Sequence, residues 1–140
     1  MVSPTDFRAA GRILRVEADA VIFQPVDTSY ELRLLMTPPD SGPPGRRVEA
    51  LIRLAARKIY SVPGGGGFIA PIVGPPRIVQ GRVRHLDESI IVVHAGAPIV
   101  VELPKDDAAY DLTEGPLAVG AMVNVVASPG ARIEDIRRPI

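Results

Sequence analysis

The sequence predicts an all-β protein of two tandem small OB-like five-stranded barrels from an internal duplication, spanning residues 5–76 and 77–136. Three observations predict it. Short runs dominated by β-branched residues alternate with breaks rich in turn formers, and no long helix interrupts them. The order of runs and breaks in residues 81–103 recurs near the start of the chain. The start of a further strand then recurs as well, and self-similarity at this long period points to a duplicated domain rather than a solenoid of short units. Closing each unit into a barrel would remove its edge strands, whereas a single β-sandwich is the alternative use of the same strands.

In chain order, residues 1–10 are a lead-in holding Pro4 and Asp6. Residues 11–35 carry the first meander, in which Gly11-Arg12-Ile13 aligns with Gly81-Arg82-Val83 at a spacing of 70. Val16-Glu17 then meets Leu86-Asp87, Val21-Ile22 meets Ile91-Val92, and a one-residue slip sets Glu31-Leu32 on Glu102-Leu103. The break at residues 37–44 is too rich in proline for helix, because proline lacks the amide hydrogen and clashes with the preceding turn. Gly45-Arg46-Arg47-Val48 opens a fourth strand over residues 45–52 and aligns with Gly120-Ala121-Met122-Val123 at a spacing of 75. A fifth strand is expected at residues 57–62, followed by a glycine hairpin tip at Gly64 to Gly67 and an apolar run at residues 68–73. Gly74-Pro75-Pro76 reads as the boundary.

The second copy has strands at residues 82–86, 90–94 and 99–103, broken by Asp87-Glu88-Ser89 and by Ala95-Gly96-Ala97-Pro98. A tight turn at Asp87-Glu88-Ser89 would set Leu86 against Ile90 and His94 against Arg82, not against His85. Residues 105–116 have room for one helical turn at most, and Ser128-Pro129-Gly130 leads into a closing run at residues 131–136.

Composition narrows the function classes. The 16 basic and 16 acidic side chains cancel, which removes the simplest argument for nucleic acid, whose binding rests on phosphate neutralisation. The charge is still uneven: residues 1–80 hold 10 basic and 7 acidic groups (+3), and residues 81–140 hold 6 and 9 (−3). With no cysteine, disulfides, thiolate metal sites and cysteine nucleophiles are excluded. No run reaches membrane-spanning length and the first residues lack the apolar core of a signal peptide, so the expectation is no membrane and a cytoplasmic location.

Candidate chemistry is sparse. Gly64 to Gly67 is followed by Phe68-Ile69-Ala70-Pro71, not by the lysine and helix start that a phosphate loop requires. Ser29 and Ser89 lack a nucleophile elbow, and Asp106, Asp107, Asp111 and Glu114 read as a solvated loop, so no enzyme, cofactor or metal is expected. The densest basic set is Arg46, Arg47, Arg53, Arg57 and Lys58. With Tyr60 and Phe68 flanking the glycine run, these residues are the candidates for binding single-stranded nucleic acid or an anion through the basic strands of the first barrel.

Two resemblances follow from these residues. Arg8 and Arg12 have the R-x-x-x-R spacing, and Asp27-Thr28-Ser29 half-copies D-x-S-x-x-G, with Leu32 where the closing glycine would stand. This resembles part of the cyclic-dinucleotide motif of PilZ barrels. Tandem barrels with G-x-x-V strands are also similar to duplicated oxyanion-binding barrels of the molybdate-binding type, a likeness of fold pattern that brings no ligand motif. The leading expectation is a non-catalytic interaction or scaffolding module that binds a protein partner or copies of itself, with nucleic-acid or anion binding as the alternative.

Overall fold

The computed structural model describes residues 6–36 and 46–137. The chain runs through β1 (Ala9–Val16), β2 (Ala20–Pro25), β3 (Glu31–Leu35), β4 (Arg47–Ser61), β5 (Phe68–Ala70) and β6 (Val73–Gly74). It continues through β7 (Ile78–Leu86), β8 (Ile90–His94), β9 (Pro98–Glu102), β10 (Tyr110–Asp111), β11 (Met122–Ala127) and β12 (Arg132–Arg137). The protein is all-β, with no α-helix among the described residues and a 3-10 turn at Asp107–Ala109 inside the segment expected to hold one helical turn. The proline-rich break at residues 37–44 lies outside the described residues, as does Gly45.

All twelve strands belong to one sheet, ordered β1-β2-β3-β12-β4-β11-β7-β8-β9, with added pairings of β4 to β1 and to β9. The ladder therefore returns on itself twice, once through β1, β2, β3, β12 and β4 and once through β4, β11, β7, β8 and β9. β4 serves both circuits. Its first half pairs with β1 and β12 (Ala50 with Ala9, Ile52 with Ile133). Its second half pairs with β9 and β11 (Leu54 with Val101, Ile59 with Val125).

Two sequence expectations change here. Strands four and five are one 15-residue strand, because Arg53-Leu54-Ala55-Ala56 holds no residue that favours a turn. Gly64 to Gly67 is not a hairpin tip, since β5 pairs with β7 (Ile69 with Val79) and not with β4. Strand pairing also runs between the two halves of the chain, because β12 pairs with β3 and β4.

The two meanders share their registers. Arg12 faces Gln24 and Ile13 faces Phe23; at a spacing of 70, Arg82 faces His94 and Val83 faces Val93. A bulge interrupts each pair at the same place, between Ile13 and Arg15 and between Val83 and His85. That bulge explains why His94 faces Arg82 as expected while Leu86 faces Ile91, not Ile90. Gly11 faces Val48 and Gly81 faces Val123, which repeats the offset of 75. Farther on, Phe23 faces Leu32 while Val93 faces Ile99, a reach of 32 − 23 = 9 residues against 99 − 93 = 6. The shorter second turn thus makes Ile99 the equivalent of Leu32, correcting the one-residue slip read from sequence.

Alternation along the strands fills the interior. Val21, Phe23, Leu32, Leu34, Val48 and Ile52 of one circuit and Val79, Ile91, Val93, Ile99, Val101 and Val123 of the other belong to one buried cluster. Each such side chain contributes about 1.5–3 kcal/mol of burial. The core is continuous across β4, which contributes Val48 and Ile52 from one half and Leu54 and Ile59 from the other.

Candidate functional site

A groove opens between β3, the start of β7, the end of β11 and the turn at residues 128–131, with a cavity volume of about 670 Å³. Its floor is apolar, with Leu35, Ile78 and Val126 among the lining residues. Backbone bonds fix its walls: Ser128 N donates to Ala55 O at 2.8 Å, Ala127 N to Arg77 O at 2.8 Å and Leu35 N to Ala131 O at 2.9 Å. Arg33, Arg57 and Arg77 also line it, and no acidic side chain does among the described residues. Arg33 is already balanced, donating to Glu17 at 3.0 Å and to Asp19 at 2.9 Å. The Glu17 hydrogen bond is the main reason its pKa is raised. Arg57 and Arg77 are exposed and make no ion pair with a described residue. The groove thus combines an apolar floor with two uncompensated guanidinium groups, the arrangement that suits an anion carrying an apolar body.

The sequence-derived candidates are dispersed. Arg57 lines the groove. Arg53 is neutralised by Glu134 at 2.8 Å and Glu102 at 3.8 Å. Arg46 is exposed just before β4, and Arg47 lines a second, polar hollow of about 300 Å³ with Arg12, Gln24, Asp27 and Thr28. That hollow gathers two residues of the partial PilZ-like pattern, Arg12 and Asp27, while Arg8 and Ser29 do not line it. Thr28 is engaged locally, donating to Pro25 O at 2.8 Å.

The remaining three candidates share one face. Tyr60 pairs with Asn124, Asn124 with Gln80, and Gln80 with Phe68, a cross-strand row over β4, β11, β7 and β5. Directly opposed residues project to the same side of a sheet, so the two rings end a row whose middle is amide. Asn124 Nδ2 donates to Gln80 Oε1 at 3.0 Å and Gln80 Nε2 to Gly66 O at 3.0 Å. Lys58 Nζ lies 5.3 Å from the centre of the Tyr60 ring, within cation–π range.

His85, Asp87 and Ser89 come together, but not in the order of a catalytic triad. Asp87 lies between His85 (3.3 Å) and the Ser89 hydroxyl (3.2 Å), whereas a triad needs the imidazole in the middle to take the serine proton. Asp87 instead fixes the turn, accepting from Ser89 N at 2.8 Å and Ile90 N at 3.0 Å. These bonds hold its pKa at about 2, against an ordinary 3.8. Burial, followed by the nearby Arg84 charge, lowers the pKa of His94. Among the described residues no three His, Asp or Glu side chains gather as metal ligands, and no helix is long and apolar enough to cross a membrane.

Sequence reading missed Arg33 and Arg77. Nothing local marks Arg33 within Leu32-Arg33-Leu34, and Arg77 reads only as the entry to a strand. They meet because β3 and β7 lie on either side of the crossing at β4, which no motif encodes. No family model, no curated protein and no solved structure matches the chain.

Proposed function

We propose that this chain is a non-catalytic binding protein built from two small OB-like barrels of common origin, one per circuit, and that its ligand is an organic anion seated in the groove of Arg57 and Arg77. The supporting observation is the pairing of those uncompensated guanidinium groups with an apolar floor. Two OB-like units also account for the repeated registers and bulges at a spacing of 70. On this reading each unit takes its fifth strand from the other, β12 in the first and the second half of β4 in the second. The experiment is a thermal melt against a panel of organic and inorganic anions, since a ligand of the native state raises the melting temperature by mass action. A dose-dependent rise that Arg57→Gln and Arg77→Gln diminish is expected. A flat response to every anion sinks the reading.

A second reading has its own observation, the row from Tyr60 to Phe68. Two rings at the ends of an amide-lined face, with Lys58 beside one of them, suit stacking of nucleobases in a single strand. A labelled oligonucleotide tests it: Tyr60→Ala and Phe68→Ala should each weaken binding about tenfold or more. Unchanged binding removes this reading. Association with a protein partner or a second copy, in the cytoplasm, is the broader form of the same non-catalytic proposal and has the exposed pair Ile72 and Val73 to draw on.

A further inference from the structure

Leu51, Ile90, Val92 and Val100 form a small buried cluster apart from the main core, between β8, β9 and the first half of β4, and Phe7 packs against it. The register offsets carry each of these positions across β4. Val92 becomes Ile22 and Ile90 becomes Ala20 at a spacing of 70, and Val100 becomes Arg33 at 67. Leu51 becomes Val126 at 75, and Phe7 becomes Arg77 as the offset of 70 continues two residues ahead of β1. Arg33, Arg77 and Val126 all line the groove. The groove is therefore the equivalent of a place that, on the other side of the protein, is closed by its own phenyl ring.

The exchange of side chains defines what would fill the open copy. Ile22 and Val126 keep the apolar character of Val92 and Leu51, whereas Val100 and Phe7 have become arginines. Arg57 adds a third from β4. What is missing relative to the closed copy is a ring, and what is added is positive charge that only Arg33 has internally neutralised.

We propose that the groove seats the planar ring of an aromatic oxyanion in the place equivalent to that of the Phe7 ring, with the anionic group held by Arg57 and Arg77. This rests on the organic-anion reading above and narrows it to a ligand class. Guanidinium groups serve both halves of such a ligand, forking onto the oxyanion and lying against the ring face. The volume of about 670 Å³ falls within the usual range for small-molecule sites.

The test is a titration, by melting shift and by calorimetry, with 2-naphthoate, 3-phenylpropionate, phenyl phosphate, hexanoate and sulfate. The aryl carboxylates, the aryl phosphate or both should bind at least about tenfold more tightly than hexanoate, the gain expected from burying a ring's extra apolar surface. Equal binding of hexanoate and the aryl acids, or binding of sulfate alone, overturns the ring inference and leaves the anion site standing. No binding by any anion overturns both. Arg77→Phe restores the closed arrangement and should fold, melt no lower than wild type and lose the aryl response; a wild-type response from the folded variant overturns the proposal. Should that variant not fold, Arg57→Gln at an exposed position should weaken aryl binding at least about fivefold, the effect of losing one charge-assisted hydrogen bond. Unchanged affinity there also overturns it.

Discussion

Arg53 and Arg132 stand directly opposite each other on β4 and β12 and share the same two carboxylates. Arg53 meets Glu134 at 2.8 Å and Glu102 at 3.8 Å, while Arg132 meets Glu102 at 2.8 Å and Glu134 at 3.5 Å. Two like charges facing across a ladder repel, and the alternating carboxylates turn that repulsion into a closed ring of pairs. The Glu102 hydrogen bond is the largest cause of the raised Arg132 pKa. Glu102 comes from β9, so the ring ties both circuits together at their crossing.

Removing one carboxylate exposes the repulsion. Glu134→Gln is expected to cost about 1 kcal/mol, at the upper end for partly exposed pairs because two arginines lose a partner together. The loss should shrink in high salt. A double-mutant cycle of Arg53→Met and Glu134→Gln in urea measures the coupling. A coupling energy of zero at low salt would show that the ring contributes nothing.

Gly11 and Gly81 are held to glycine by close approach. A Cβ on Gly11 would run into the Gln24 carbonyl oxygen and the Phe23 ring, and one on Gly81 into the His94 carbonyl oxygen. Backbone cannot yield as a flexible side chain would, so Gly11→Ala and Gly81→Ala should each destabilise by about 1–3 kcal/mol, as overpacked cores do. Chemical denaturation checks both, and a loss below about 0.5 kcal/mol in either would show that the meander relaxes there.

Asp87 predicts an acid limb. Its folded pKa of about 2 lies below the ordinary 3.8, so the carboxylate form is the one that folding favours. Its contribution is therefore complete above pH 3.8 and fades as pH falls through about 2. Asp87→Asn should be less stable than wild type at neutral pH, and the two should converge in acid. Urea midpoints across that range test it; parallel curves for the two proteins refute the assignment.

How much of this was legible follows from which residues carry local signals. The strands, the two meanders and the offset of 75 at Val48 and Val123 are written in alternation, glycine placement and turn residues, all local, whereas the bulges that shift Leu86 onto Ile91 are not. Arg53-Leu54-Ala55-Ala56 also carried a signal, the lack of any turn former, that marks one long strand in place of two. The dual role of β4 and the position of β12 between β3 and β4 depend on closing loops that run from 47 residues for β9 on β4 (100 − 53 = 47) to 97 for β12 on β3 (132 − 35 = 97), which no local pattern records. The groove inherits that difficulty. Arg33 and Arg77 become neighbours only through the crossing, whereas Arg53, prominent in the sequence, is neutralised by Glu134, 81 residues away.

Sharing β4 makes a prediction about cooperativity. A chain of two self-contained barrels would survive the loss of its last strand with one barrel intact. Here β12 closes the first circuit by pairing with β3 and β4, and it buries Ile133 in the same cluster that holds Leu54, Ile59 and Val125. Ending the chain after residue 131 would leave the first half of β4 without its partner and uncover a core continuous with the second circuit. The truncated protein should therefore lose protection from hydrogen exchange in β7, β8 and β9 as well as in β1, β2 and β3. In the intact chain, Ile133→Ala, costing about 2–5 kcal/mol, should lower the stability of both circuits equally in one transition. Exchange that is lost only in β1, β2 and β3, with β7 to β9 protected as in the intact chain, would mean that β4 holds two independent units together without coupling them.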